Sequence, residues 1–130
     1  MIHANELQIG DWILSIIDRY DHTEKKPVRI TGIRKDFIRT DDSDVWYPLE
    51  TFEPIPLTPE ILEKNFEKKT FYGIYGDYFD LEFKEYSDSI YIVTYHNCEF
   101  NLPDQMMQVS FVHELQHFLN HCGIEKEIKL

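Results

Sequence analysis

Basic residues are scarce in this chain of 130 residues, which has 13 Lys and Arg against 24 Asp and Glu and a net charge of −11. An acidic protein repels the phosphates of DNA and RNA, so a nucleic-acid partner is disfavoured. Long apolar runs are also absent, because the longest one, Trp12 to Ile17, is interrupted by Ser15 and is too short to cross a membrane. The first residues lack the basic flank and the apolar core of a signal peptide, so we expect a cytoplasmic protein without a membrane partner.

Cysteine is equally rare, with Cys98 and Cys122 as the two thiols and no C-x-x-C pair between them. We expect both to be free, buried thiols in a reducing compartment. No segment repeats with a period typical of solenoid proteins, and no segment is of low complexity. What remains is the composition of an ordinary globular protein, with 42% apolar and 28% charged residues, folded as one domain or two small lobes.

Aromatic residues are frequent at 15% of the chain, which favours β-strands. In residues 1–57, short apolar stretches such as 27–33 alternate with polar turns and predict four or five short strands. We assign the polar residues 18–26 to a loop, and we expect Pro54 and Pro56 to end this region. Strands this short and close together indicate a small, curved barrel, and their spacing resembles that of an SH3-like β-barrel lobe.

A second lobe of mixed helix and sheet is predicted for residues 58–130. Thr58 is a good N-cap and is followed by proline, so a helix is expected over 59–68. Residues 71–102 predict three antiparallel strands, and residues 110–122 predict a C-terminal helix. The whole chain is therefore predicted to be an α+β protein.

The C-terminal helix contains His113-Glu114-Leu115-Gln116-His117, which matches the H-E-x-x-H pattern of zinc peptidases. Residues four apart are neighbours on a helix, so the two histidines could share Zn²⁺ while Glu114 activates a water molecule. A third ligand in a usual position is lacking, although His121 lies one turn further on. We therefore expect no metal and no catalytic residue, with zinc bound by His113, His117 and His121 as the alternative.

The helical wheel favours a structural role for this helix. His113, His117 and His121 fall together opposite an apolar stripe, with Glu114 at the edge of that stripe, and are expected to face solvent. The stripe expected to face the core consists of Phe111, Val112, Leu115, Phe118, Leu119 and Cys122.

Three motifs together carry a resemblance: L-x-I-G-D-W-I at residues 7–13, E-P-I-P-L-T-P-E-I-L-E-K at residues 53–64, and V-H-E-L-Q at residues 112–116. The chain resembles a group of small proteins encoded by gut Bacteroidota and by their phages and mobile elements. That resemblance implies neither an activity nor a ligand. It also implies Asn at the position of His117, which would make the second presumed zinc ligand particular to this chain.

A non-enzymatic module that binds a protein partner or itself is the function we expect. Its predicted binding surface is the Gly-punctuated aromatic stretch with Tyr72, Tyr75, Tyr78 and Phe79, because tyrosine is enriched at interfaces. The basic hairpin between Arg29 and Arg39 is the next candidate surface. Two alternatives remain: a zinc-dependent metallopeptidase, and an acidic decoy that occupies a nucleic-acid-binding protein.

Overall fold

The structure is a computed structural model, and it confirms an α+β fold with antiparallel sheets. It forms two compact units, each described separately below. No helix in the described part of the chain combines the length and apolarity that crossing a membrane requires. The described residues are 4–68, 72–75, 79–96, 103–121 and 126–130.

Unit 1 comprises Met1–Pro56 and Phe111–Cys122. Its sheet has the strand order β4-β3-β2-β1-β5, and one helix, α2 (Val112–His121), lies against β1. Among the described residues no pairing joins β4 to β5, so the hydrogen bonds do not close this sheet into a barrel. Its strands are β1 (Trp12–Asp18), β2 (Thr23–Arg34), β3 (Phe37–Thr40), β4 (Ser43–Pro48) and β5 (Phe52–Pro54), with 3₁₀ turns at Ala4–Glu6 and Leu49–Thr51.

The polar stretch 18–26, predicted to be a loop, is a hairpin instead. Strand β1 pairs with β2 up to the register Asp18↔Thr23, and the Arg19 N–H donates to the His22 carbonyl at 2.8 Å across the turn. Residues 23–27 are all exposed, so the strand has no buried face there and leaves no alternating apolar pattern in the sequence.

The core of unit 1 is formed by alternate residues of the central strands, as the period of a half-buried strand requires. Ile13 on β1, Val28 and Ile30 on β2, and Ile38 on β3 are at most 1% exposed. Leu7 and Phe52 complete this cluster. Helix α2 adds Val112, Leu115 and Leu119 to the buried side chains of the unit.

Unit 2 comprises Leu57–Ser110 and Gly123–Leu130. Its described strands have the order β10-β9-β8-β7-β6. Its elements are α1 (Pro59–Asn65), β6 (Glu67–Lys68), β7 (Tyr72–Tyr75), β8 (Phe79–Tyr86), β9 (Ser89–His96) and β10 (Pro103–Val109).

Helix α1 begins as predicted and ends earlier than predicted. The Thr58 hydroxyl caps it by accepting from the Ile61 N–H at 3.3 Å. It ends at Asn65 rather than at residue 68, because the next residue, Phe66, takes an extended conformation and packs its ring 4.6 Å from that of Phe83. The Asn65 amide also donates to the Lys129 carbonyl and accepts from the Lys129 N–H, both at 2.7 Å.

The strands of unit 2 agree in part with the predicted range of 71–102. The turn between β8 and β9 is made by Ser87 and Asp88, both with positive φ, which suits a tight hairpin. Strand β10 lies between the predicted strands of 71–102 and the helix predicted over 110–122, so the sequence assigned it no element. The third strand predicted near residues 98–102 lies outside the described residues, as do Cys98 and Cys122.

The C-terminal helix differs from the prediction in its grouping. Residues 111–122 belong to unit 1, whereas the sequence placed a helix over 110–122 in the second lobe. The structural reason lies in contacts of α2 with the beginning of β1, which also form the candidate site.

Candidate functional site

Glu114, the presumed general base, caps helix α2. Its carboxylate accepts from the backbone N–H of Phe111, the residue just before the helix, at 3.0 Å. A Glu at the third helical position that reaches back in this way forms the carboxylate half of a capping box. The contact satisfies a backbone donor that the first turn of a helix leaves open.

His117, the second presumed ligand, is bound to a buried carboxylate. Its Nε2 lies 2.6 Å from Oδ2 of Asp11, whose side chain is only 3% exposed. The same carboxylate oxygen accepts from the Gln8 N–H at 2.8 Å. Burial of a carboxylate without hydrogen bonds is destabilising, so the contact with His117 lowers the free-energy cost of burying Asp11.

Gln116 binds the backbone on both sides of Asp11. Its Oε1 accepts from the Trp12 N–H at 2.9 Å, and its Nε2 donates to the Gly10 carbonyl at 3.1 Å. Gly10 has φ +95°, a conformation that favours glycine. We call these five residues, Gly10, Asp11, Trp12, Gln116 and His117, the latch.

The latch joins two of the three motifs that carried the resemblance. G-D-W from the first motif and the Gln-His end of H-E-L-Q-H meet across more than 100 residues of chain. Sequence reasoning missed this contact. The available signal was Asp11, a charged residue directly before the apolar residues Trp12, Ile13 and Leu14 of β1. A carboxylate in such a position needs a hydrogen-bond partner once it is buried.

His113 is buried at 3% exposure, so its predicted outward placement is wrong. Its ring stacks on that of Phe111 with centroids 5.8 Å apart, and its Nδ1 has no hydrogen-bond partner among the described residues. The helical wheel failed here because α2 buries two sides, and Glu6 shares with His113 the lining of a cleft of about 360 Å³. His121 is exposed, as predicted.

Burial lowers the pKa of His113, since it disfavours the charged imidazolium, and the neighbouring His117 acts in the same direction. The Asp11 carboxylate opposes this shift of the pKa more strongly than His117 supports it but less strongly than burial causes it, and Glu114 and Glu6 oppose it to a smaller extent. The ring is therefore held neutral in the folded state at pH values where it is protonated in the unfolded chain.

We expect stability to fall as pH falls below about 6.5, the ordinary pKa of histidine. Between this ordinary pKa and the lowered pKa of the folded state, His113 is protonated in the unfolded chain and neutral in the folded protein. Protonation therefore favours unfolding in this range of pH. A His113→Phe variant, which keeps a ring beside Phe111, should lose this part of the pH dependence. Urea denaturation at several pH values measures the effect, and an unchanged slope in the variant would contradict the assignment.

The described residues contain no group of three His, Cys, Asp or Glu side chains that could hold a metal ion. Of the residues in the H-E-x-x-H pattern, His117 is hydrogen-bonded through Nε2 to Asp11, and Glu114 accepts from the N–H of Phe111. Two residues of the H-E-x-x-H pattern thus have structural roles, since His117 docks α2 and Glu114 caps it. Zinc bound by His113, His117 and His121 stays the alternative hypothesis.

Untagged protein is expected to contain zinc well below stoichiometric amounts, because the pattern lacks a third ligand in a usual position and the described residues contain no group of three side chains that could hold a metal ion. Elemental analysis after dialysis against zinc measures this directly. A His117→Ala variant serves as the control. A full equivalent of zinc that disappears in that variant would restore the metallopeptidase hypothesis.

The predicted tyrosine surface belongs to unit 2. Tyr72 and Tyr75 lie at the two ends of β7, and Phe79 begins β8. Tyr78 lies outside the described residues. A binding surface at these positions stays a prediction.

The basic hairpin has a distinct structure around Trp46. The guanidinium groups of Arg34 and Arg39 lie 4.7 and 5.1 Å from the centroid of the Trp46 ring. The ring lies close over Gly32, where an added Cβ would come within 2.8 Å of it. We call Gly32, Arg34, Arg39 and Trp46 the tryptophan clamp.

Arg29, which the sequence grouped with these arginines, belongs elsewhere. Its guanidinium lies 5.2 Å from the ring of Trp12, and its Nε donates to the Gly10 carbonyl at 3.3 Å. The basic cluster of the sequence therefore divides between the latch and the tryptophan clamp.

No protein-family model, curated protein or solved structure matches this chain.

Proposed function

We propose that this chain is a non-enzymatic protein-interaction module with an SH3-like fold in unit 1. Two features support the fold: β1 pairs with both β2 and β5, and a 3₁₀ turn at Leu49–Thr51 precedes the last strand. An SH3-like barrel has this strand order and a turn at this point. We further propose a cytoplasmic protein of a phage or mobile element, as the resemblance implies.

The observation that carries the proposed function is the tryptophan clamp. Trp46 and Arg39 are half-buried and Arg34 is exposed, on the face of the sheet that also bears Phe37, 44% exposed. Arg and Trp are the side chains most enriched in the energetic centres of protein interfaces. A surface with both, at the edge of a sheet, is suited to binding another protein.

Charge indicates which partner fits. The Lys and Arg side chains of unit 1 with a described ion pair are Arg19, Lys25 and Lys26, whereas Arg34 and its neighbour Lys35 have no carboxylate partner among the described residues. Stacking on Trp46 uses the faces of the guanidinium groups and leaves N–H donors at their edges. Carboxylates bind such edges well, so the proposed partner is an acidic segment of another protein.

Trp46 also prepares this surface for binding. Arginine has a flexible side chain that loses entropy when it is fixed, and stacking restricts it before the partner arrives. The Arg39 Nε is restricted further, because it donates to the Thr31 hydroxyl at 3.3 Å. The net charge of −11 opposes every anionic partner, so the attraction must come from the local contacts of Arg34 and Arg39.

The test is titration of a fluorescent Glu-rich peptide into wild-type protein and an Arg34→Ala/Arg39→Ala variant. The variant should bind at least about tenfold more weakly, since it loses charge-assisted hydrogen bonds of roughly 1.4 kcal/mol or more. Arg19→Ala, which removes an exposed arginine already paired with Glu24, is the matched control. Equal binding by all three proteins, or none by wild type, would contradict the proposal.

A further inference from the structure

The strands at the ends of the two sheets differ in how well they are protected from further pairing. Natural edge strands are blunted by shortness, charge or proline. Strand β5 has three residues including Pro54, β6 is the dipeptide Glu67–Lys68, and β4 contains Asp44 and ends in Pro48. Strand β10 is the exception.

Strand β10 is seven residues long and pairs with β9 on one side. Its residues 105–109, Gln-Met-Met-Gln-Val, carry no charge in a chain that is 28% charged. Met106 is 55% and Met107 43% exposed, one on each face of the sheet. Among the described residues, no other segment forms a backbone ladder with its outer edge.

We infer that β10 is a self-association surface, on which β10 of a second copy adds as an antiparallel strand. Each copy carries a net charge of −11, so two copies repel wherever their acidic surfaces meet. Residues 105–109 form an uncharged edge at which this repulsion is least. Two-fold pairs are the commonest oligomers, and the addition of a strand satisfies backbone groups without any change of shape.

Symmetry fixes the register of this pair. Opposite residues of an antiparallel pair point to the same face, so the two-fold axis passes through one residue of the strand. An axis at Met107 places Met107 opposite its own copy, Met106 opposite Gln108, and only uncharged residues between 105 and 109. An axis at Met106 would bring Asp104 into the ladder, so the axis at Met107 is favoured.

The pair is expected to be weak and concentration-dependent. Five residues of edge and two methionines bury less than the roughly 1,200 Å² of a standard stable interface. Sedimentation equilibrium over a wide concentration range should therefore show a reversible monomer–dimer equilibrium. Met107→Lys, which places two positive charges opposite each other, should weaken the dimer by at least about tenfold.

Asn120→Lys is the control for charge, because it makes the same change at an exposed position of α2. It should dimerise at least as well as wild type, since it lowers the net negative charge of each copy. A wild-type protein that stays monomeric at the highest concentration would overturn the inference, as would a Met107→Lys variant that dimerises like wild type. Trp46→Ala should not alter the dimer, which separates this test from that of the tryptophan clamp.

Cysteine cross-linking tests the register in a background with both native cysteines replaced by serine. Opposite residues of an antiparallel pair have Cα atoms about 4.5–5.5 Å apart, within the range of a disulfide. Met107→Cys should therefore form a disulfide dimer on mild oxidation. Met106→Cys should form much less, because diagonal neighbours are about 7–8 Å apart. Faster cross-linking at position 106 would overturn the proposed register, and none at either position would overturn the pairing itself.

Discussion

Leu115→Ala is expected to lower the free energy of unfolding by about 2–5 kcal/mol. Leu115 lies at the centre of α2 and is completely buried, at 0% exposure. Truncation to alanine removes its apolar contacts and leaves a cavity that a close-packed core fills only in part. Urea denaturation at neutral pH, with circular dichroism as the probe, measures the loss.

Asn120→Ala provides the matched control, since Asn120 is on the same helix and is exposed. Its expected effect is below about 0.5 kcal/mol. Phe118 is only half-buried, so Phe118→Ala should cost less than Leu115→Ala, although the sequence placed both in the core stripe. An equal effect of the Leu115 and Asn120 substitutions would mean that α2 docks through another face.

The apolar face of α2 was predictable because helical spacing alone defines it. Val112, Leu115 and Leu119 are buried where the wheel placed them. Burial of His113 was not predictable, since the wheel shows one stripe and cannot show a second neighbour on the opposite side. His113 stacks on Phe111 as an aromatic residue would. Its polar atoms nevertheless favour a prediction of solvent exposure from the sequence.

Local signals were reliable where the structure is set by adjacent residues. Thr58 caps α1 as predicted, because the cap requires only a hydroxyl beside the first turn. The end of α1 depends instead on Asn65 binding Lys129, which is 64 residues away, and on Phe66 reaching Phe83. Contacts between such distant residues leave no local pattern in a single sequence.

In the candidate sites, too, local patterns were predictable from the sequence, whereas contacts between distant residues were not. The H-E-x-x-H pattern was visible in the sequence, but the role of each of its side chains depends on the residues that it contacts in the fold. Asp11 is 106 residues from His117, so the sequence alone could not show that this histidine already has a carboxylate partner. The basic hairpin was visible as a cluster, yet its stacking on Trp46 required the pairing of β2, β3 and β4.

His117→Ala is expected to lower the free energy of unfolding by about 2–3 kcal/mol. The variant leaves the buried carboxylate of Asp11 with the Gln8 N–H as its remaining described hydrogen bond. The loss should be smaller than for a fully buried pair, because a quarter of the His117 side chain is exposed. His117→Asn keeps an N–H donor and should cost less.

A double-mutant cycle separates the latch from a general loss of packing. Asp11→Ala removes the buried charge, so His117→Ala should cost about 1–2 kcal/mol less in that background than in wild type. Gln116→Ala, which removes two hydrogen bonds to the backbone of Gly10 and Trp12, should instead lower stability by a similar amount in both backgrounds. Strictly additive effects of the Asp11 and His117 substitutions would show that their contact contributes nothing to the docking of α2. That outcome would leave the second histidine of H-E-x-x-H without the structural role assigned to it and would reopen the question of a ligand.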